Sequence, residues 1–565
     1  MKKPLFAILA ILTLPGCPYT EGCSGPADVS ENTTESSPTD PGVTDPGTDG
    51  PSSAVPATRA KSAPIDFGSD PGGGPRVSTL SCPVLAMPLP GGSGAVYVDA
   101  AARGEELGTK GQPFKTIAKA FASAKQASSI WVAKGTYREN LVVPDKDLVV
   151  FGGFSSDFAM RGDACATVIE AANTKQPVFS AGRDVASFAL EGVTVQKGAR
   201  GIVVTGDETL KASFTIARSV FKQNGTKTEV GGAAALDGVN GRVFQSVFVD
   251  NIASKGAALA NGGDVELAVD QNLFEHNLGY SDHGGGLYLS ARLSRVYRNT
   301  FIGNETGVDT RASWGGAIIV YKQRDTSPAR GELSFNVFTD NLAGLGSAVF
   351  VDEGATVTMS HDLVYRNRAY AENGYIRGAA LYVDGTGHPG GGSTLVGEFL
   401  TVANNVYDEN RVSRAATAFG GNVYVESSSK TTITNSIFWN NGNNGFYVEA
   451  GNEITVSHTI ASPSCASSDA KGLVVAGPAS CKIGAGVFLP EDIAFADEAE
   501  DDYHEKSTAG RFTKEGRWVV DSVTSPAIDK GDPGAVMRSE PAPNGGRSNL
   551  GAFADTVEAS KSPVR

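Results

Sequence analysis

The sequence has no surplus of basic residues and almost no long apolar runs. Its 565 residues include 48 lysines and arginines against 62 aspartates and glutamates, which gives a formal net charge of −14. This balance cannot neutralise a phosphate backbone, so it argues against nucleic acid as a partner. Beyond residue 14, no apolar run is long enough to cross a bilayer as a helix. Charged residues are sparse and glycine contributes 69 residues, which favours many short strands joined by glycine turns.

Familiar catalytic motifs are also missing. The chain has no α/β-hydrolase elbow, Walker loop, zinc-binding spacing or dinucleotide fingerprint. The glycine-rich segment 390–398 precedes a strand and does not form a phosphate cradle. The histidines are too scattered to ligate one metal ion, and they are His276, His283, His361, His388, His458 and His504. The sequence therefore indicates no catalytic residue, no metal and no cofactor.

The N-terminus reads as a targeting segment. Lys2 and Lys3 precede an apolar stretch at 5–14, which is too short to span a membrane in the mature protein. The following Leu-Pro-Gly-Cys resembles the lipobox of bacterial lipoproteins, which implies a signal peptide at 1–16 and acylation of Cys17. Two or three acyl chains would hold the protein stably at a membrane. We therefore expect an outer-membrane or cell-surface location; the alternative is an ordinary secretory signal with a chance cysteine.

Five cysteines remain after the lipidation site, in agreement with an oxidising compartment. We expect Cys82 to pair with Cys165 and Cys465 to pair with Cys481, which leaves Cys23 over. Spacing alone does not determine this connectivity.

The chain divides by composition. Residues 17–75 are rich in Ser, Thr, Pro, Gly and Asp and cannot bury enough apolar area to fold, so they predict a disordered tether. Residues 76–170 predict an N-terminal cap with the first coils, 171–500 a run of repeated coils, and 501–565 a C-terminal cap.

The first ordered segment carries a family resemblance. It runs from the strand YVDAAARG through QPFKTIAKAFASAKQ to a strand ending KGTYREN. The middle part predicts a helix with Pro113 in its first turn and Phe114, Ile117, Phe121 and Ala124 on one face. This order resembles the opening of right-handed parallel β-helix proteins of the pectate-lyase-like superfamily. In that family the helix covers the open end of the solenoid.

A repeat follows in which a large apolar residue stands three positions before an asparagine. Glycine-rich steps into another strand separate the copies, so each repeat predicts one coil of a solenoid. The sequence thus predicts an all-β fold: a single-stranded right-handed parallel β-helix with an N-terminal capping helix. The F-x-x-N and G-G-A patterns also resemble those of polymorphic outer-membrane proteins. We interpret the repeats as stacked structural columns rather than a ligand-binding ladder, and the residues are Phe221, Asn224, Phe248, Asn251, Phe274, Asn277, Phe301, Asn304, Phe338, Asn341, Asn367, Asn405, Phe438 and Asn441.

The C-terminal block resembles the terminal module of many secreted bacterial β-helix proteins. Its landmarks include Asp502-Tyr503-His504, a Ser-Pro-Ala-Ile-Asp run and Asn549-Leu-Gly-Ala-Phe. Relatives often carry a cysteine where this chain has Ala527. The resemblance implies a cap and no chemistry.

The segments between each asparagine and the next glycine step should stack on one edge. Four of them are rich in aromatic and charged residues that could stack on sugar rings and bind hydroxyls, and they predict a glycan- or protein-binding face. The alternative is that these are plain solenoid loops. The candidates are Tyr280, Asp282, His283, Asp309, Arg311, Trp314, Tyr370, Glu372, Tyr375, Arg377, Tyr407, Asp408, Glu409 and Arg411.

Three functions follow from this organisation. The favoured hypothesis is a non-catalytic, lipid-anchored surface protein that binds a polysaccharide or a surface protein. The second is a polysaccharide lyase, which would need calcium held by acidic residues and a basic residue, or a glycosidase, which would need two or three convergent carboxylates. The acidic pairs around 497–502 and at Asp529 and Asp532 show no alignment between coils, which favours binding. The third is a structural envelope protein without a ligand.

Overall fold

The fold is seen in a computed structural model. All the residues that it describes belong to one compact unit, Ile65–Arg565. They are 74–75, 81–87 and 94–564, with gaps at 127, 185–186, 208–211, 308–312, 324–327, 371–374, 379, 386–390, 408–416, 420–422, 442–445, 463–464 and 467–480. Within this range the side chains of 282, 375–377, 417–419 and 465–466 are also outside the description. The predicted signal peptide and most of the predicted tether therefore lie outside the described residues.

The chain forms a right-handed parallel β-helix, as the sequence predicts. Each coil contributes a first and a second strand to one bent 24-stranded sheet. The first strands are Leu141–Val142, Phe179–Ala181, Ile202–Thr205, Ala234–Asp237, Ile318–Tyr321, Val349–Asp352, Leu381–Val383, Val423–Val425, Phe446–Val448 and Cys465–Ala466. The second strands are Ala95–Val98, Ser128–Ala133, Leu148–Phe154, Phe188–Glu191, Ser213–Ala217, Asn240–Phe244, Arg330–Ser334, Thr356–Ser360, Thr394–Glu398, Lys430–Thr434, Glu453–Ser457 and Cys481–Ile483. Two long strands pass through both positions, Leu259–Asp270 and Leu287–Tyr297.

A third strand of each coil builds an 11-stranded sheet and a fourth builds a 6-stranded sheet. The third strands are Gly135–Arg138, Thr167–Glu170, Thr194–Gln196, Val220–Lys222, Val247–Val249, Leu273–Glu275, Thr300–Ile302, Val337–Thr339, Leu363–Tyr365, Thr401–Ala403 and Ile437–Trp439. The fourth strands are Ile252–Lys255, Leu278–His283, Glu305–Thr306, Leu342–Ala343, Arg368–Ala369 and Val406–Tyr407. Three two-stranded sheets complete the set, Tyr375–Arg377 with Thr417–Phe419, Phe495–Asp497 with Asp502–Glu505, and Arg511–Phe512 with Trp518–Val519.

The core is a set of side-chain columns that run along the solenoid. In five consecutive coils the third strands place one phenylalanine directly above the next, because their register is unshifted. The rings of Phe248 and Phe274 stack with centroids 5.0 Å apart, and those of Phe274 and Phe301 with centroids 4.8 Å apart. Stacked rings of this kind contribute dispersion and aromatic contacts beyond their buried area.

The repeated asparagines form a continuous hydrogen-bonded ladder after the third strands. Asn251 Nδ2 donates to Asn277 Oδ1 at 3.0 Å and also to the carbonyl of Phe221 in the preceding coil at 2.9 Å. The same pairing continues from Asn277 to Asn304. The residue before each asparagine turns the chain with a positive φ, for example 54° at Asp250. The amide ladder satisfies the backbone groups that this sharp turn leaves without strand partners.

A second ladder follows the second strands, and the sequence pattern does not predict it. Asn272 Nδ2 donates to Asn299 Oδ1 at 2.9 Å, Asn299 to Asn336 at 3.1 Å, and Asn336 to Asp362 Oδ1 at 2.9 Å. Its pattern is harder to see because Ser246 stands in the preceding coil at the same position.

The N-terminal helix is shorter than the periodicity predicts. It spans Ile117–Ser123, and Thr116 is its N-cap. Pro113 and Phe114 therefore precede the helix, which corrects their predicted place in it. The reason is tertiary, because Phe114 pairs with Val98 in a strand-like bridge. Glu139 accepts hydrogen bonds from the first two helical N–H groups and anchors the helix on the coil below.

The C-terminal module, residues 493–564, packs laterally on the outer face of the 11-stranded sheet, whereas the sequence analysis predicts a cap. The Ala552 N–H donates to Thr401 Oγ1 at 2.9 Å, and Asn404 Nδ2 donates to the Tyr503 hydroxyl at 3.1 Å. Arg366 and Asp501 form an ion pair of 2.8 Å across the same boundary. The module therefore covers an apolar sheet face that would otherwise be exposed.

The predicted disulfide between Cys82 and Cys165 is confirmed, with its Cα atoms 5.6 Å apart. It ties the segment 81–87 to an early coil. Cys481 is also disulfide-bonded. The side chain of Cys465 and the whole of Cys23 lie outside the description, so that pairing stays a prediction.

Candidate functional site

The outward side chains of the first strands form one continuous surface, here named the first-strand face. In Val349–Asp352 the two valines point into the core, whereas Phe350 and Asp352 point outward. Parallel pairing without register shifts repeats this arrangement in the following coils. Each outward position therefore becomes a column of side chains, with neighbours about 4.8 Å apart.

One column of the first-strand face is aromatic in the C-terminal half. Phe350 and Tyr382 stack with centroids 4.9 Å apart, Tyr382 and Tyr424 at 4.8 Å, and Tyr424 and Tyr447 at 4.6 Å. All four rings are buried, so they do not offer a surface for a ligand.

The neighbouring column is acidic and is here named the acidic column: Asp352, Asp384, Glu426 and Glu449. These carboxylates come from consecutive coils, since the N–H of Asp384 pairs with Val351 and the N–H of Glu426 with Val383. Asp352 is only 8 % exposed, whereas the other three are partly exposed. The Tyr382 hydroxyl donates to Glu426 Oε1 at 2.6 Å. The Tyr424 hydroxyl donates to Glu449 Oε1 at 2.5 Å in the next coil.

Burial and mutual repulsion raise the pKa of the inner carboxyls. Burial raises the pKa of Asp352 to about 8, and the neighbouring charge of Asp384 contributes to this shift. Burial is also the largest cause of the raised pKa of Asp384. At neutral pH the Asp352 carboxyl is therefore mostly protonated, and a protonated carboxyl at this place can serve as a proton donor.

The same face opens into a groove in the N-terminal half, because small residues replace the aromatic ones. The aromatic column continues as Val203, Ala235 and Ala260, and the groove that results has a volume of about 240 Å³. Polar groups on its walls include Arg200, Asp237, Ser290 and Gln323. Gly262 lies at its floor, where an added Cβ would come within 2.9 Å of Asp237 Oδ1.

The predicted ligand face is partly built into this surface. His283 is buried and packs against Trp314, with ring centroids 4.6 Å apart. His283 also meets the ring of Tyr321, and Trp314 lies against Phe350. These two predicted residues therefore support the first-strand face from its edge.

Other predicted residues lie apart. Tyr370 is buried, and its hydroxyl donates to the Thr306 carbonyl at 3.0 Å. The ring of Tyr280 lies 4.1 Å below the Lys227 ammonium. Burial raises the pKa of Tyr407. For the remaining predicted residues, the structure does not describe either the whole residue or its side chain. They are Asp282, Asp309, Arg311, Glu372, Tyr375, Arg377, Asp408, Glu409 and Arg411. A ligand-binding role for this set stays a prediction.

The sequence analysis missed the acidic column, although its signal is visible. The four first strands read VFVD, LYVD, VYVE and FYVE, so an acid follows each aromatic residue by two positions. The acidic pairs that the sequence analysis examined have a different role. Asp501 binds Arg366, and Asp502 lies 2.6 Å from His504 Nδ1, so both help to build the C-terminal module.

The described residues offer little support for a metal-binding site. In that part of the chain the one close group of three possible ligands is Cys82, Asp163 and Cys165. Both cysteines are consumed by the disulfide, so they are not available as thiolate ligands. No described helix is long and apolar enough to cross a membrane.

Comparisons with known proteins found two family models and several solved structures. A family described as "Disaggregatase related" matches residues 354–531, and one described as "Protein of unknown function (DUF1565)" matches residues 101–144. No curated protein sequence matches the chain. A crystal structure of pectate lyase Pel9A is similar with a TM-score of 0.41 and 12 % identity, over 81 % of this chain and 96 % of that one. A pectin methylesterase from carrot has a TM-score of 0.21 and 14 % identity, over 62 % of this chain and 82 % of that one.

Proposed function

We propose that this protein is a lipid-anchored surface protein that binds a polysaccharide along the first-strand face. The observation that carries the proposal is the groove of about 240 Å³, which is continuous in register with the acidic column on the same face. Small side chains at Ala235 and Gly262 leave room for a ligand, whereas Arg200, Ser290 and Gln323 supply hydrogen-bonding groups. A concave, mostly apolar floor with a few polar groups is the common form of a ligand site.

The repeat of the solenoid suits a polymer better than a small molecule. Each coil presents its outward groups about 4.8 Å from those of the next, a spacing similar to the length of one sugar residue in an extended chain. The column through Thr205, Asp237, Gly262 and Ser290 therefore offers a polar side chain in three of four consecutive coils, which can face successive residues of a bound chain.

Lipid attachment at Cys17 would display this face at the cell surface. Metabolic labelling with a radioactive fatty acid tests the anchor. We expect the label to enter the full-length protein and to be lost in Cys17→Ala, and an unlabelled native protein would contradict lipidation.

The binding test uses the full-length Cys17→Ser protein and insoluble bacterial, algal and plant polysaccharides. Ala235 points outward into the groove, so Ala235→Trp should fill it and reduce retention at least about tenfold. Thr358→Trp is the matched control, because Thr358 is an exposed outward strand residue on another face. Absence of retention on every polymer, or equal retention of Ala235→Trp and the native chain, would refute the proposal.

Cleavage of the bound polysaccharide is the second candidate, and the acidic column favours it. Glycosidases act through two or three carboxyl groups around one sugar, one of them protonated. Asp352, with its pKa of about 8, can supply the proton, and Asp384 and Glu426 are ionisable neighbours. The "Disaggregatase related" match spans three of the four acids.

New reducing ends or unsaturated ends distinguish cleavage from binding. If the column is catalytic, Asp384→Asn and Glu426→Gln should each abolish cleavage and leave retention unchanged. Activity should decline above pH 8 as Asp352 loses its proton. Retention without new ends in the native protein would leave binding as the function.

A further inference from the structure

A second cavity lies on the outward side of the second strands, near the N-terminal helix. Its volume is about 300 Å³. Ser129, Val149, Ala189 and Thr215 form its floor as one unshifted column of four coils. It occupies a different strand position from the groove of the first-strand face, so the two sites are independent.

The walls of this cavity differ in character. On one side Phe151 supplies an apolar wall, and the back of its ring is covered by Arg161, whose guanidinium carbon lies 5.2 Å from the ring centroid. On the other side stand Asp147, Ser187 and Ser213. The site therefore has an aromatic wall opposite a row of hydroxyl and carboxylate groups, and its floor combines two aliphatic with two hydroxyl side chains.

The polar wall is held in place by the protein itself. Asp147 Oδ2 accepts a hydrogen bond from Gln126 Nε2 at 2.6 Å, and Oδ1 accepts one from the Ser187 N–H at 2.8 Å. The Ser213 hydroxyl donates to Ser187 Oγ at 3.2 Å. A carboxylate has about four acceptor positions, so Asp147 can still accept from a ligand hydroxyl.

The floor contains a buried hydroxyl without a partner. Ser129 is 4 % exposed, and its Oγ has no hydrogen-bond partner among the described residues. A buried hydroxyl without a partner costs free energy, and a ligand that donates to it or accepts from it removes that cost. Ser129 therefore points independently to a hydrogen-bonding occupant of this cavity.

We infer that this cavity binds one neutral sugar residue. A sugar ring has an apolar face, which suits Phe151 and Val149, and vicinal hydroxyls, which suit Asp147 and Ser129. The carboxylate of Asp147 repels acidic sugars and phosphates, since no cationic side chain lines the cavity among the described residues.

Saturation-transfer NMR on the full-length Cys17→Ser protein tests the inference. The neutral probes are the methyl glycosides of glucose, galactose and mannose, and the acidic probes are glucuronate and inorganic phosphate. We expect at least one methyl glycoside to bind and the acidic probes not to bind. Thr215→Trp should abolish binding by filling the cavity. Thr358→Trp, at the same column position in a later coil, should not change it.

Ser129→Ala keeps the cavity open and removes only the buried hydroxyl. If Thr215→Trp folds poorly, the affinity of Ser129→Ala for the methyl glycosides tests the site instead. We expect affinity to fall about tenfold in Ser129→Ala. Binding that both cavity variants leave unchanged would overturn the site, as would no binding of any methyl glycoside. Equal binding of glucuronate would overturn the neutral class. The polymer-retention test measures binding at the first-strand face. Failure of the polysaccharide proposal therefore does not imply failure of the sugar-binding cavity, and the reverse also holds.

Discussion

Replacement of Asp362 by asparagine should stabilise the protein, and the size of the effect should depend on pH. Asp362 occupies the position of an asparagine in the second ladder, where it accepts from both the N–H and the Nδ2 of Asn336. In the part of the chain that the structure describes, its Oδ2 has no hydrogen-bond partner, and the residue is fully buried. Burial raises the pKa of Asp362 to about 7.

The expected magnitude follows from this shift. The same carboxyl titrates near 3.9 in an unfolded chain, and a difference of about 3 pKa units corresponds to about 4 kcal/mol. Between pH 4 and pH 7 the folded state holds a proton that the unfolded state has lost, so the free energy of unfolding falls as the pH rises. Above pH 7 the loss is complete. Asp362→Asn removes the titration and keeps the acceptor oxygen for Asn336.

Chemical unfolding at pH 4, 6 and 8 measures the difference between Asp362→Asn and the native chain. We expect almost no difference at pH 4 and a gain approaching about 4 kcal/mol at pH 8. The converse variant Asn336→Asp should lose stability at pH 8 and little at pH 4. A gain of equal size at all three pH values would refute the reasoning, because it would not come from a buried charge.

Three further changes test the packing. Phe274→Ala removes one ring from the internal stack and should cost about 3–5 kcal/mol in the free energy of unfolding, whereas Phe274→Leu should cost less. Gly551→Ala would place a Cβ 2.7 Å from Thr401 Oγ1 at a φ of +92°, so limited proteolysis should release the C-terminal module sooner while the coils stay intact. Equal digestion rates would show that this contact does not hold the module. Glu505→Gln should raise the unfolding midpoint more at pH 9 than at pH 5, since burial raises the pKa of Glu505 to about 8; a uniform shift would contradict this.

Much of the fold was predictable because the repeat is local. A large apolar residue three positions before an asparagine has the same physical meaning in every coil. The spacing alone therefore places Phe274 above Phe248 and Asn277 above Asn251. The second ladder escaped prediction because serine, asparagine and aspartate share its positions, and only the stacked backbone shows that Ser246 and Asp362 are equivalent.

The candidate site was less predictable. Acidic residues that are close in sequence, such as Asp501 and Asp502, are the ones that a sequence pattern makes visible. The acidic column instead joins Asp352 and Asp384, which are brought together only by stacking of coils. Insertions of different length between coils hide such a column from simple spacing. The four acids share one column only when the first strands are aligned by their register.

Sequence by itself determined the parallel β-helix, the two stacked columns of the F-x-x-N repeat and the Cys82–Cys165 pair as an expectation. It could do so because each depends on short-range periodicity or on a small number of possible partners. Tertiary structure alone decided where the C-terminal module docks and which side chains share the first-strand face. Those outcomes depend on the register between neighbouring coils, which insertions of different length separate in sequence, and on which outer sheet face is left apolar. Neither is encoded in any single local segment.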